Sequence, residues 1–344
     1  MLKACIIGAS GYTGAELARL LTLHPNFELA GLFVSQNSQD ANKPLSQLHP
    51  TLSGLVDAKV SAINDDLLIE LAQSMDAIFL ATPHEASHDW MPKLVNGNAK
   101  VFDLSGAFRI KDTGVFADYY GFEHQHNSLL EEAIYGLAEW NAAQIQQANL
   151  VAVPGCYPTA SLSALKPLID NNLINPQHRP IINAVSGVSG AGRKAALTNS
   201  YCEVSLQAYG VLGHRHQPEI SQSLGSEVIF TPHLGNFKRG ILATITVKVA
   251  DGTSQSQIDD AYQQAYKDKP IVRLLNHFPK LDDVVNTAHC DLHWKYDANS
   301  GYLVIGSAID NLLKGAASQA IQCANLAFGY ASHTSLIYEA GKCR

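Results

Sequence analysis

Apolar and polar positions along this chain follow two different periods. Residues 2–7 (LKACII) form an apolar run that stops at Gly8, and 15–23 (AELARLLTL) carries apolar positions at helical spacing. A second strand is predicted at 29–34 (LAGLFV), a helix at 65–74, and buried strands at 76–81 (DAIFLA), 101–105 (VFDLS) and 150–153 (LVAV). Thr82, Pro83 and Glu85 read as a capping box with proline at the first helical position, opening another helix. A further helix is expected at 159–172, and the polar, turn-rich stretch 35–54 reads as loop. Strands alternating with helices to about residue 155 imply a parallel sheet covered on both faces.

Beyond that point the pattern changes. Residues 181–187, 226–234, 239–250 and 301–310 are β-rich, with one clear helix at 256–268. This is the α+β pattern of a mixed, largely antiparallel sheet. The last apolar stretch, 312–330, is amphipathic and rich in small residues, so it must pack on something. The fold class expected is α/β, a Rossmann-type parallel sheet followed by an α+β domain.

Composition narrows the function classes. A chain of 344 residues, 46% hydrophobic and 16% charged, suits two globular domains. A net charge of −7, with basic residues only in pairs such as Arg193-Lys194 and Lys238-Arg239, argues against nucleic acid as a partner. The N-terminus enters a strand at once, without a targeting pattern, and no 18-residue apolar segment suggests a membrane span. The six cysteines are scattered without Cys-x-x-Cys spacing, so reduced thiols and a cytoplasmic location are expected.

Chemistry enters through the glycines and one cysteine. Gly8, Gly11 and Gly14 sit between the first strand and first helix, where backbone N–H groups can approach a pyrophosphate. The second strand ends in Val34-Ser35-Gln36 without the carboxylate that binds a ribose 2′-hydroxyl, so NADP is favoured over NAD. Cys156 follows Pro154-Gly155 at a strand end, close to a helix N-terminus that favours thiolate. Its partner is expected within GHRHQPEI (213–220), which supplies His214, Arg215, His216 and Glu219. His-x-His lacks companion ligands, so no metal is expected. DLSGAFR (103–109) ends in Arg109, an anion clamp, and SGVSGAGR (186–193) reads as a ligand-approaching loop. His84 and His88 read as a surface-helix pair, and His124 and His126 as loop residues.

GASGYTGAEL, DLSGAFR, VPGCYPTA, SGVSGAGRKA, GHRHQPEI and RGILATI occur together and in order. With them the chain resembles the N-acetyl-gamma-glutamyl-phosphate reductases from residue 3 to about 325. The resemblance implies a homodimer or homotetramer acting on a small acyl phosphate, with NADPH as reductant. It implies an NADP-binding Rossmann domain at 1–153 plus 311–344 and a catalytic, dimerising domain at 154–310. Cys156 would be the nucleophile, His214 the acid/base, with His216 as the other possible bearer of that role, and Glu219 beside them. Arg109, Ser105 and His216 would bind substrate. Gly8, Ser10, Gly11, Tyr12, Thr13, Gly14, Ser35, Ser189, Gly190 and Asn311 would line the cofactor. Two positions depart from the family pattern: Gly106-Ala107 replaces a stretch that usually holds an aspartate, and Gln36 stands where arginine is frequent. Rival readings are aspartate-semialdehyde dehydrogenase, a non-catalytic NADP sensor, and a cysteine hydrolase, which leaves the glycine loop unexplained.

Overall fold

The computed structural model describes residues 1–337. Residues 338–344, which hold Cys343 and the end of the expected first domain, lie outside the described residues. By their internal contacts the described residues form two units, one of 1–155 with 316–337 and one of Cys156–Gly315.

In the first unit, seven strands are laid side by side, all parallel: β1 (Leu2–Ile7), β2 (Phe27–Val34), β3 (Ser61–Ala62), β4 (Ala77–Leu80), β5 (Lys100–Asp103), β6 (Ile134–Tyr135) and β7 (Leu150–Ala152). Their order is β3-β2-β1-β4-β5-β7-β6. β4 is buried at every position, as a strand covered on both faces requires. The helices are α1 (Tyr12–Thr22), α2 (Leu45–Leu48), α3 (Asp65–Ser74), α4 (His84–Val95), α5 (Thr113–Tyr120), α6 (Asn127–Glu132) and α7 (Ala142–Gln147). Asn64 caps α3 by accepting from Leu67 N, and Asp112 caps α5 from Gly114 N and Val115 N.

Three local expectations need correction here. The stretch 35–54 is not all loop: it holds α2 and a 3₁₀ turn at Pro50–Leu52, anchored by buried Leu45 and Leu52. The capping box at 82–85 does not form. Pro83 is extended (φ −56°, ψ 155°) and is itself the N-cap, so Glu85 falls one position short, and Thr82 Oγ1 bonds Ser87 Oγ at 2.7 Å. Finally, α1 opens at Tyr12, three residues before the apolar periodicity begins.

The second unit is built on α8 (Cys156–Asp170), α9 (His216–Leu224), α10 (Gln255–Tyr266) and a second seven-stranded sheet. Its strands are β8 (Ile181–Gly187), β9 (Gln207–Ala208), β10 (Ile229–Gly235), β11 (Ile241–Lys248), β12 (Val272–Leu274), β13 (Cys290–Asp297) and β14 (Tyr302–Ile309). The order is β12-β13-β14-β11-β8-β10-β9. Only β12/β13 and β8/β10 pair in parallel; the other neighbours are antiparallel. One sheet face is covered by α8, whose Leu162, Leu165 and Leu168 are fully buried. Each contributes about 1.5–3 kcal/mol by leaving water. Ser307 Oγ donates to Ala160 O at 2.8 Å, and α10 fastens α8 through Tyr262 OH to Ala164 O at 2.7 Å. On the other face Ile181, Thr244 and Tyr302 are exposed. The sequence pattern missed β13, whose CDLHWKYD mixes charges with aromatics, and α9, whose Pro218 reads as a breaker. A proline in the first turn has no intrahelical N–H bond to lose.

The stretch 312–330 divides into a π-helical turn at Leu313–Ala317 and α11 (Ser318–Ala327). α11 packs on α7, β5 and α1 of the first unit. Its polar side chains are matched there: Asn325 with His24 at 2.9 Å, Gln322 with Glu139 at 2.9 Å, and Gln319 with Gly136 O at 3.0 Å.

Candidate active site

In the first unit the loops after β1, β4, β5 and β7 all leave the carboxyl ends of parallel strands, where α/β sheets bind ligands. Gly8 has φ +95°, and a Cβ there would lie 2.2 Å from Ala81 O. A Cβ on Gly14 would lie 2.4 Å from Gly8 O. Only glycine lets β1, the loop and α1 close this tightly. Gly11 is the N-cap of α1 and offers no side chain to its N–H groups, which leaves them for an anion. Ser10 lies in the loop, and Tyr12 and Thr13 open the helix. His49 Nε2–H donates to Ser10 O at 2.9 Å, and its ring meets Tyr12 edge-on at 6.2 Å. Sequence reading missed His49, because nothing local marks a histidine 39 residues away as a brace for the glycine loop. Ser35 and Gln36 are exposed just past β2.

The loop after β5 is organised by Asp103, a fully buried carboxyl whose pKa is raised by burial. It accepts from Ser87 Oγ at 3.0 Å, Ser105 N at 2.9 Å and Ser105 Oγ at 2.9 Å. Ser105 is buried, and its oxygen also accepts from Ala107 N at 3.1 Å, so its hydroxyl shapes this loop. Arg109 is oriented by carbonyls, with Nε on Val153 O at 2.8 Å and a terminal nitrogen on Leu104 O at 2.7 Å. These bonds orient it although Gly106-Ala107 carries no carboxylate. Gly106 is required for room, since a Cβ would sit 2.1 Å from the Tyr120 hydroxyl. Its N–H donates to His84 Nδ1 at 2.7 Å.

The surface-helix reading of His84 and His88 is wrong for His88, which is 4% exposed. Its ring packs on Phe122, His124 and His126, and its Nε2 accepts from Gln125 N at 3.0 Å. His124 is a loop residue as expected, yet it is buried between Phe108 and Phe116. Burial, with His88 next in effect, pulls its pKa from 6.5 to about 4. Among the described residues no group of three or more His, Cys, Asp or Glu side chains is placed to hold a metal ion.

In the second unit Cys156 is the first residue of α8 and is half-buried. That is three residues earlier than the sequence placed the helix start, because Pro158 again sits harmlessly in the first turn. Gly315 closes on the cysteine: a Cβ on Gly315 would lie 2.7 Å from Cys156 Cβ. Two tyrosines stand beside it. Tyr157 OH donates to His233 O at 3.1 Å, and Tyr209 OH donates to Tyr157 OH at 3.3 Å. Both phenols are raised above their ordinary pKa, by burial first and in part by charge on Cys156, which puts the thiol within electrostatic reach of both. Neither tyrosine was read from the sequence.

His214 packs on Tyr157, Tyr209, His216 and Phe230 at ring distances of 5.8, 5.5, 4.8 and 5.6 Å. Burial, and secondarily Arg215, pull its pKa from 6.5 to about 4, so the ring is neutral at pH 7. Its Nδ1 accepts from His216 N at 3.1 Å, which leaves the ring proton on Nε2. His216 opens α9, and Glu219, fully buried, lies within the same helix's first turn. Ser189 and Asn311 meet: Asn311 Nδ2 donates to Ser189 Oγ at 2.9 Å while its Oδ1 accepts from Gly240 N at 2.7 Å. Gly190 lies against this pair, its would-be Cβ 3.8 Å from Asn311 Nδ2.

Two family models match. Residues 3–148 match the semialdehyde dehydrogenase NAD binding domain and residues 156–311 the semialdehyde dehydrogenase dimerisation domain. The chain is 66% identical to the N-acetyl-gamma-glutamyl-phosphate reductase of Pseudoalteromonas atlantica, across 98% of this chain and 99% of that one. It is 57% identical to the protein of the same name from Vibrio parahaemolyticus, across 98% and 100%. In fold it is similar to aspartate semialdehyde dehydrogenase II of Vibrio cholerae complexed with ASA, at TM-score 0.70 and 17% identity over 96% of this chain and 98% of that one. It is also similar to the Candida albicans aspartate semialdehyde dehydrogenase with NADP, at TM-score 0.65 and 14% identity over 95% and 98%.

Proposed function

The chain belongs to the N-acetyl-gamma-glutamyl-phosphate reductase family, and on that premise we propose that Cys156 carries its reaction as an acyl thioester. The enzyme reduces N-acetyl-gamma-glutamyl phosphate to N-acetylglutamate semialdehyde, a step of arginine biosynthesis, and releases phosphate. What supports the assignment to Cys156 is its seat as the first residue of a buried helix, with Tyr157 and Tyr209 within its electrostatic reach and the His214–His216 pair packed against Tyr157.

The first unit fits a dinucleotide. Gly8 and Gly14 form a cradle that a single Cβ would fill, and Gly11 leaves the N–H groups of α1 for a pyrophosphate. Ser10, Tyr12, Thr13 and Ser35 extend that surface, and Ser189, Gly190 and Asn311 are assigned to the nicotinamide end. The absence of a carboxylate at Ser35-Gln36 favours NADP. A reduced nicotinamide, when bound, supplies the hydride that turns the acyl group into an aldehyde.

The chain's own residues do the rest. The α8 dipole favours thiolate at Cys156, which attacks the acyl-phosphate carbonyl and forms a sulfur–carbon bond. The resulting oxyanion accepts hydrogen bonds from N–H groups of the first turn and from His214 Nε2–H. Its collapse breaks the carbon–oxygen bond to phosphate, whose charge Arg109 steadies, with Ser105 shaping the Arg109 loop. Proton transfer to and from the thiol falls to the histidine pair, with Glu219 behind it in α9: His216 carries it while His214 Nδ1 holds His216 N, and His214 takes it over only by giving up that bond. The exposed sheet face at Ile181, Thr244 and Tyr302 supports a homodimer or homotetramer, which sedimentation of the full chain would read directly. No described helix is long and apolar enough to cross a membrane; we place the enzyme in the cytoplasm. The test of the reading is Cys156→Ser, which abolishes turnover while leaving NADPH binding intact. Retained turnover overturns it.

A further inference from the structure

RGILATI (239–245) is part of the family pattern, yet no step above uses its first residue, Arg239. The structure gives that residue a partner. Arg239 Nε donates to Asp310 Oδ2 at 2.5 Å, with the arginine side chain 17% exposed and the aspartate fully buried. The same Oδ2 accepts from Asn286 N at 2.7 Å, and Oδ1 accepts from Leu312 N at 2.8 Å and Leu313 N at 3.0 Å. The Asp310 carbonyl accepts from Gly315 N at 2.9 Å. The carboxylate thus fixes the first half of the turn 310–315 and the Asp310 carbonyl its end, and the last residue of that turn is the glycine pressed against Cys156.

The arginine's own segment is tied to the other end of the site. Gly187 N donates to Gly240 O at 2.9 Å, Val188 N to Phe237 O at 2.9 Å, and Ser189 N to Lys238 O at 3.1 Å. A Cβ on Gly187 would lie 2.5 Å from Arg239 N, so the two segments touch backbone to backbone. Gly240 N is held by Asn311, the neighbour of Asp310, and Asn311 in turn holds Ser189. One ion pair therefore joins the turn that fixes the nucleophile to the loop that carries Ser189 and Gly190.

We propose that Asp310 and Arg239 are positioning residues: their ion pair holds the Cys156 thiol and the Ser189–Asn311 pair in register. This rests on the reading of Cys156 as nucleophile and of Ser189 and Asn311 as cofactor-lining. A buried carboxylate bound by one guanidinium and three backbone N–H groups has one geometry, and losing the charge lets the turn relax. Displacement of a nucleophile by about 1 Å lowers rate on the order of 10²-fold.

The full-length enzyme tests this with Asp310→Asn, Arg239→Gln and Arg239→Lys, each measured for kcat, KM for NADPH, Cys156 alkylation rate by iodoacetamide against pH, and Tm. Asp310→Asn and Arg239→Gln are expected to lower kcat about 10–100-fold and to raise KM for NADPH. They should also slow alkylation of Cys156, and Arg239→Lys should recover part of each loss. If Asp310→Asn does not fold, Arg239→Gln decides alone. A lowered Tm with unchanged kcat, KM and alkylation would show a merely structural pair and overturn the proposal. The control separates the two readings. If Cys156→Ser keeps turnover, the assignment of the nucleophile fails; if Cys156 is essential but both charge-removing variants behave as wild type, the positioning proposal fails by itself.

Discussion

The glycine loop of the first unit and the thiol site of the second are built by opposite means. The loop works by what it lacks: Gly8 and Gly14 remove side chains so that backbone meets backbone, and Gly11 leaves helix N–H groups uncapped. Its glycines all fall within residues 8–14, braced from a distance by the Phe33 carbonyl and by His49. The thiol site works by accumulation. Cys156 and Tyr157, the stretch from Tyr209 to His216, and Gly315 are three separate segments, and strands β8 and β10 with the turn after β14 bring them together. A local, subtractive site tolerates little change at any glycine. A site assembled from several segments concentrates its chemistry in one or two side chains and spreads its positioning over many.

Substitutions sharpen that contrast. Cys156→Ser is expected to lower kcat by at least about 10⁴-fold with NADPH affinity unchanged in equilibrium titration; a parallel loss of affinity would join what the account keeps apart. His214→Ala should lower kcat by about 10²–10⁴, and if His216→Ala does so instead, the roles of the two rings are exchanged. Gly8→Ala strikes only the subtractive site. With φ at +95° and a Cβ meeting Ala81 O, it should lose about 1–3 kcal/mol of stability together with NADPH binding, while any protein that folds still alkylates at Cys156. Gln36→Arg has the smallest effect, raising kcat/KM for NADPH over NADH by about tenfold through charge pairing with a 2′-phosphate.

Acid separates the two units in another way, since the first holds the buried His124 and the second the half-buried His214. Folding depresses the pKa of His124 and of His214 from 6.5 to about 4. Between those values the unfolded chain binds more protons than the folded one, so stability falls as pH drops from 6.5 toward 4. His214→Gln and His124→Gln should each flatten the dependence of Tm on pH within that window. An unchanged slope in both would mean that neither histidine is held neutral.

What could be read from residues alone follows the same division. The parallel sheet, the glycine loop, the largely antiparallel second sheet and the placement of Cys156 near a helix start all rest on local pattern. Asp310–Arg239, Tyr209 and His49 rest on contacts across tens of residues, which periodicity does not record. Two prolines, Pro158 and Pro218, sit in first turns where no intrahelical N–H bond is lost; α8 starts three residues before the expected 159, and α9 was not expected at all. His84 and His88 read as a surface pair because they stand i,i+4 on one helix, yet the His88 ring is buried among Phe122, His124 and His126. One signal was present and unused. Gly315 interrupts a helical pattern, and a lone glycine in such a place marks close approach of another backbone, here that of Cys156.

The most direct test is mass spectrometry of the enzyme mixed with N-acetyl-gamma-glutamyl phosphate in the absence of NADPH. The account predicts the N-acetylglutamyl mass on the peptide that contains Cys156, discharged when NADPH is added. An unmodified Cys156 peptide from enzyme that turns over normally once NADPH is supplied would contradict it.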